Sequence, residues 1–140
     1  MSRTRSRELA LQCLYQYDLR GEDARESAMD QLAGADPEAR EYAEALIRGV
    51  RAEEPALSDR LKTLVEHWAW DRVAVLDRCI LRIGAWELLH APELPHKVAM
   101  DEAIELAKRF STRDSGAFVN GVLDRLHRER AAPAAPPGAP

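Results

Sequence analysis

The sequence predicts an all-α fold of about seven helices, on three observations. Apolar residues recur three and four positions apart along almost the whole chain. Gly21, Asp36-Pro37, Pro55, Pro92 and Pro95 cut that pattern into segments of helical length. No stretch alternates apolar and polar residues between turn dipeptides; the single Asn120-Gly121 pair sits inside a helical pattern.

Leu9, Ala10, Cys13, Leu14 and Tyr17 define a first amphipathic helix from about residue 4 to 20, stopped by Gly21. A short second helix fits Ala24 to Leu32. Asp36-Pro37 starts the third: an oxygen caps free amides, and proline lacks only a donor that the first turn does not need. Ala43, Leu46, Ile47 and Val50 form its inner face. Pro55 opens a fourth, with Leu57, Leu61, Leu64, Val65 and Trp68 in register. From Val73 to Leu89 the apolar residues point nearly all round, which predicts a central, buried helix. The sixth runs from about Pro95 to Phe110 and buries Met100, Ala103, Ile104 and Ala107. Asp114 or Ser115 caps the last, which buries Phe118, Val119, Val122, Leu123 and Leu126. A glycine inside this helix, Gly121, costs up to about 1 kcal/mol relative to alanine, and close packing against another helix is the favoured explanation.

The 140 residues suit one domain over 1–130, followed by a disordered Ala/Pro-rich tail over 131–140. Charged residues are 31% and hydrophobic residues 46%, the balance of a soluble globular protein. Two distant cysteines, no secretory signal and no apolar run long enough to span a membrane indicate the cytoplasm. The opening Met fits a full-length start. Net charge is −4, yet residues 1–7 carry Arg3, Arg5 and Arg7 with no acid among them.

Catalytic chemistry has no positive case. There is no glycine-rich phosphate loop, and His67, His90, His96 and His127 share no metal-ligand spacing with each other or with cysteine. Cys13 and Cys79 lie on apolar faces, where a small buried hydrophobe is the better reading than a nucleophile. Asp101, Glu102 and Glu105 are ordinary for a solvated helix face. The expectation is a non-enzymatic protein without cofactor or metal.

Three blocks, in order, resemble the NusB family. The first is Arg7-Glu8-Leu9-Ala10-Leu11-Gln12-Cys13-Leu14-Tyr15-Gln16, preceded by alternating arginines. The second is Leu76-Asp77-Arg78-Cys79-Ile80-Leu81-Arg82-Ile83 followed by Trp86-Glu87-Leu88. The third runs from Pro95 through Val98 and Asp101-Glu102-Ala103-Ile104-Glu105-Leu106-Ala107-Lys108 to Phe118-Val119-Asn120-Gly121-Val122-Leu123-Asp124, and is the most specific. Together they span nearly all of the chain outside the tail.

The resemblance implies helices in two packed sub-bundles, and transcription antitermination as the role. It implies that boxA-type single-stranded RNA is bound together with a small-subunit ribosomal protein, called NusE in this setting, within the RNA polymerase antitermination complex. Arg3, Arg5 and Arg7 are then expected to form a mobile basic arm on phosphates, where a frayed, solvated terminus is the bland reading. Tyr15 and Phe118 match positions near RNA, with core packing as the rival reading for each. Asp77 and Asp114 match acidic positions that face the basic ribosomal protein; a local pair with Arg78 or Arg82, and helix capping, are their respective rivals. Lys97 and Lys108 could extend the basic surface. The chain departs from the family pattern at Asp101, where asparagine is frequent, and at Ala117, where a basic residue is frequent.

Two alternatives stand beside this reading: a helical protein-binding adaptor without its own RNA contact, and the front fragment of a ribosomal RNA cytosine methyltransferase. Homodimerisation is left open, because an apolar helical surface that awaits a partner can also pair with itself.

Overall fold

A computed structural model describes residues 2–65 and 69–131. It contains α1 (Ser2–Arg20), α2 (Arg25–Ala33), α3 (Pro37–Ala52), α4 (Glu54–Lys62), α5 (Val75–His90), α6 (His96–Phe110) and α7 (Ser115–Ala131), with 3₁₀ turns at Gly21–Ala24 and Trp70–Arg72. Among the described residues there is no strand, as the spacing predicts. Trp68 and His67 lie outside the described residues, as does the tail from 132 onward. Among the described residues no helix is long and apolar enough to cross a membrane.

Local signals place the helix ends. Gly21 adopts φ +60°, a left-handed conformation that is cheap only for glycine, and so ends α1. The Asp36 carboxylate accepts from the Ala39 amide at 3.3 Å, one residue before Pro37 at the start of α3. α4 is shorter than the apolar spacing suggests and stops at Lys62, although Leu64 beyond it is still buried.

Helices α1, α2 and α3 form one sub-bundle and α5, α6 and α7 the other; α5 touches α1, α3, α4, α6 and α7. That central position is why α5 is apolar on nearly every side: Cys79, Ile80, Leu81, Ile83 and Ala85 are all buried. Burial pushes the Cys79 thiol up to about 12 and the Cys13 thiol up to about 11, which makes both inert at neutral pH. His96 at the start of α6 and His127 near the end of α7 stack with ring centroids 3.8 Å apart.

Gly49 and Gly84, rather than Gly121, are the positions where helices approach too closely for a side chain. A Cβ at Gly49 would stand 2.3 Å from the Trp86 ring, and one at Gly84 2.6 Å from Leu123 Cδ1. At Gly121 the nearest atom is the Arg125 guanidinium at 3.7 Å, so the expected helix packing there is corrected: the position is open. Gly49→Ala and Gly84→Ala are each expected to destabilise by about 1–3 kcal/mol through overpacking. Gly121→Ala should instead stabilise by up to about 1 kcal/mol. Urea unfolding of the three variants checks the order; a destabilised Gly121→Ala would contradict it.

Candidate protein and RNA interface

The basic N-terminus is part of a helix, and this corrects the expected mobile arm. Consecutive helical residues turn by about 100°, so an every-second-residue pattern sends neighbouring arginines to opposite sides, while positions i and i+4 share one. Arg3 and Arg7 accordingly lie on the α3 side, near Tyr42, whose ring centre is 4.1 Å from the Arg3 guanidinium carbon. Arg5 lies on the other side, 3.2 Å from Glu8.

Arg7 is withdrawn from solvent altogether, with its side chain 3% exposed. Its Nε and Nη2 donate to the Glu87 carboxylate at 2.9 Å each, and Nη1 donates to Glu102 Oε1 at 2.9 Å. The Tyr42 hydroxyl donates to the same Glu87 carboxylate, and Thr4 Oγ1 donates to Glu102 at 2.6 Å. Burial alone would lower the Arg7 pKa, but the hydrogen bonds and charge of Glu87 hold it above its ordinary value. Burial and the bond to Glu87 likewise raise the Tyr42 phenol. Arg7 thus ties α1 to α3, α5 and α6 and presents no face to a phosphate, so it is corrected from an RNA-facing group to a structural one.

Arg5 and Arg109 remain open. Both are half exposed, and both pair with Glu8, whose side chain is only 10% exposed. These two cations share one carboxylate, and Glu102 and Glu105 stand beside Arg109 between α1 and α6. Arg109 was missed in the sequence because nothing in its spacing singles it out from the lysines of the same helix.

Asp77, Asp114 and Phe118 converge on one pocket of about 210 Å³, at the start of α5 and the turn between α6 and α7. Arg72, Val73, Ala74, Thr112 and Ser115 complete its wall. Asp77 occupies the first turn of α5, where the helix dipole favours a carboxylate. Its side chain is nearly buried; Oδ2 accepts from Ser115 Oγ at 3.0 Å. The backbone amide of Thr112 donates to Ser115 Oγ at 3.3 Å, and Ser111 Oγ lies 3.0 Å away, so the Ser/Thr turn fixes the carboxylate. Among the described residues, Asp77 Oδ1 is buried without a hydrogen-bond donor. The expected local pair with Arg82 does not form, because Arg82 turns to Asp18 at 3.0 Å and Glu54 at 3.2 Å. Asp114 is exposed, and its carbonyl accepts the Phe118 amide at 3.3 Å to begin α7.

The pocket therefore offers the exposed Asp114 carboxylate and a half-buried aromatic ring, beside the largely buried Asp77 carboxylate and the cationic Arg72. A guanidinium or ammonium group can hydrogen-bond to Asp114 and pack on the ring. Tyr15 does not line it; that side chain is half buried against the core. Lys97 and Lys108 are exposed. Among the described residues no three His, Cys, Asp or Glu side chains group as a metal site.

The molecule is thus a helical bundle of two sub-bundles that brings two carboxylates and an aromatic ring to one pocket. The model of the NusB family matches residues 4–128. The transcription antitermination protein NusB of Sorangium cellulosum (strain So ce56) is 42% identical over 127 residues, covering 89% of this chain and 91% of that protein. The protein of the same name from Bacillus cereus (strain B4264) is 35% identical over 126 residues, covering 90% and 97%. The structure of T. maritima NusB superposes with a TM-score of 0.83 at 38% identity, covering 91% of each chain. A crystal structure of antitermination factors NusB and NusE in complex with dsRNA gives a TM-score of 0.82 at 25% identity, covering 91% of this chain and 97% of that one. The chain belongs to the NusB family.

Proposed function

We propose that this protein is a transcription antitermination factor. It binds the boxA element of nascent ribosomal RNA operon transcripts together with the small-subunit ribosomal protein NusE, and so helps RNA polymerase resist termination in the cytoplasm. The work is recognition rather than catalysis. The names of its relatives support the role, and the NusB–NusE–dsRNA structure supports the pairing of a protein partner with RNA.

The observation that carries the reading onto this chain is the pocket that brings Asp77 and Asp114 together, two carboxylates that suit a basic ribosomal protein. Phe118 lines the same pocket, which would set an aromatic ring for base stacking beside the protein contact. Arg3 and Arg5 supply the N-terminal phosphate contacts, and Tyr15 is the further candidate for RNA.

With Arg7 engaged in the interior, two phosphate contacts remain at the N-terminus, so log affinity should fall with log salt at a slope of about −1.4 from this source. Titration of fluorescent boxA-like RNA at several salt concentrations, with and without the ribosomal protein, tests this. Arg3→Ala with Arg5→Ala should flatten the slope, and the partner should tighten binding. The burial of Arg7 also favours a second reading, an adaptor that binds only protein. In that case RNA binding is absent even with the partner present.

A further inference from the structure

We propose that the groove between α2 and α3 is a second docking surface, built for an acidic amphipathic helix of another protein. Its volume is about 920 Å³. Leu32, Ile47 and Tyr17 contribute apolar surface, and Met29, 56% exposed, stands at the lip. Arg25, Arg40, Arg48 and Arg51 surround that surface, with Glu44 among them. A chain of net charge −4 has thus gathered four of its cations around one apolar recess.

The arginines are partly preorganised. Arg40 donates to the Ala33 carbonyl at 3.3 Å, and the Arg51 guanidinium lies 3.8 Å above the Tyr17 ring centre while pairing with Glu22. Arg48 reaches Glu44 only at 4.0 Å and is 74% exposed. Arg25 is exposed as well. A helix that lays apolar residues along the recess would turn flanking carboxylates toward these two open guanidinium groups.

Two other occupants fit less well. Single-stranded RNA would need an aromatic face for its bases, and the Tyr17 face is covered by Arg51. A second copy could offer the neighbouring acidic strip of Glu22, Asp23, Glu26 and Asp30, but the apolar residue accompanying that strip is Met29, which already belongs to the lip. Charge would be matched and the recess left unfilled. No residue of the groove lines the pocket of Asp77 and Asp114, so the two surfaces can be occupied together.

The test uses fluorescence anisotropy with a labelled peptide of about four helical turns, leucine at every third or fourth position and glutamate elsewhere. The full chain should bind it saturably. The double variant Arg25→Ser, Arg48→Ser should bind at least about tenfold more weakly, with an unchanged melting curve and unchanged boxA RNA binding. A lysine-for-glutamate version of the peptide should not compete. The proposal is overturned if there is no saturable binding, if the double variant binds equally well, or if single-stranded oligouridylate displaces the peptide. It also fails if sedimentation shows the unmodified chain pairing with itself through these arginines.

Discussion

Arg7→Ala is expected to destabilise the fold by about 3–5 kcal/mol, because removing one member of a buried ion pair strands the other. Glu87 is the group stranded. Its side chain is 1% exposed, and Arg7 is the cation that both hydrogen-bonds and neutralises it. Domains of this size are stable by roughly 5–15 kcal/mol, so one substitution would remove a large part of the total. Urea unfolding followed by circular dichroism measures the effect. Arg3→Ala is the contrast: the residue stays exposed where its guanidinium lies over Tyr42, and its loss should cost only about 0.5–1 kcal/mol. A double variant, Arg7→Met with Glu87→Gln, removes both charges and should recover much of the lost stability. It also separates structure from recognition. If it folds and binds boxA RNA with the same salt slope as the unmodified chain, Arg7 is structural; a flattened slope would return Arg7 to the RNA surface.

Asp77→Asn combined with Asp114→Asn is expected to weaken the ribosomal-protein partner by about 30-fold or more, the usual effect of truncating one side of a buried, hydrogen-bonded charge pair. The substitution is nearly isosteric, and an asparagine oxygen can still accept from Ser115 Oγ, so the turn should keep its shape. What changes is charge: the pocket loses the two carboxylates that attract an incoming cation. Isothermal titration with the purified partner reads the loss. Arg72→Ala, at the wall of the same pocket, removes a like charge from the path of the cation and should bind at least as tightly as the unmodified chain. Equal affinity for the asparagine variant and the unmodified chain would place the partner elsewhere on the molecule. Thermal unfolding of each variant distinguishes a lost contact from a lost fold.

Much of the architecture was legible in the one-dimensional pattern. The all-round apolar run of α5 marked it as the central helix, Asp36-Pro37 marked the start of α3, and Gly21 marked the end of α1. Each of these rests on contacts within a few residues of the chain, where helix periodicity and capping act. The acidic and aromatic candidates Asp77, Asp114 and Phe118 came from the family resemblance rather than from spacing, and the structure brings the three to one pocket.

The partners of each helix face were decided only by the tertiary structure. Arg3, Arg5 and Arg7 look alike in the sequence, yet Glu87 and Glu102, about 80 and 95 residues further along, draw Arg7 alone into the interior. Gly121 looked like a packing glycine, but the close approaches fall at Gly49 and Gly84, where Trp86 and Leu123 come in from other helices. Asp77 finds Ser115 across the α6–α7 turn, and the arginines of α2 and α3 meet around one recess. By itself the sequence determined where helices run and which residues share a side. Which side is covered, and by what, follows from contacts between distant segments, and these exist only once the helices have packed.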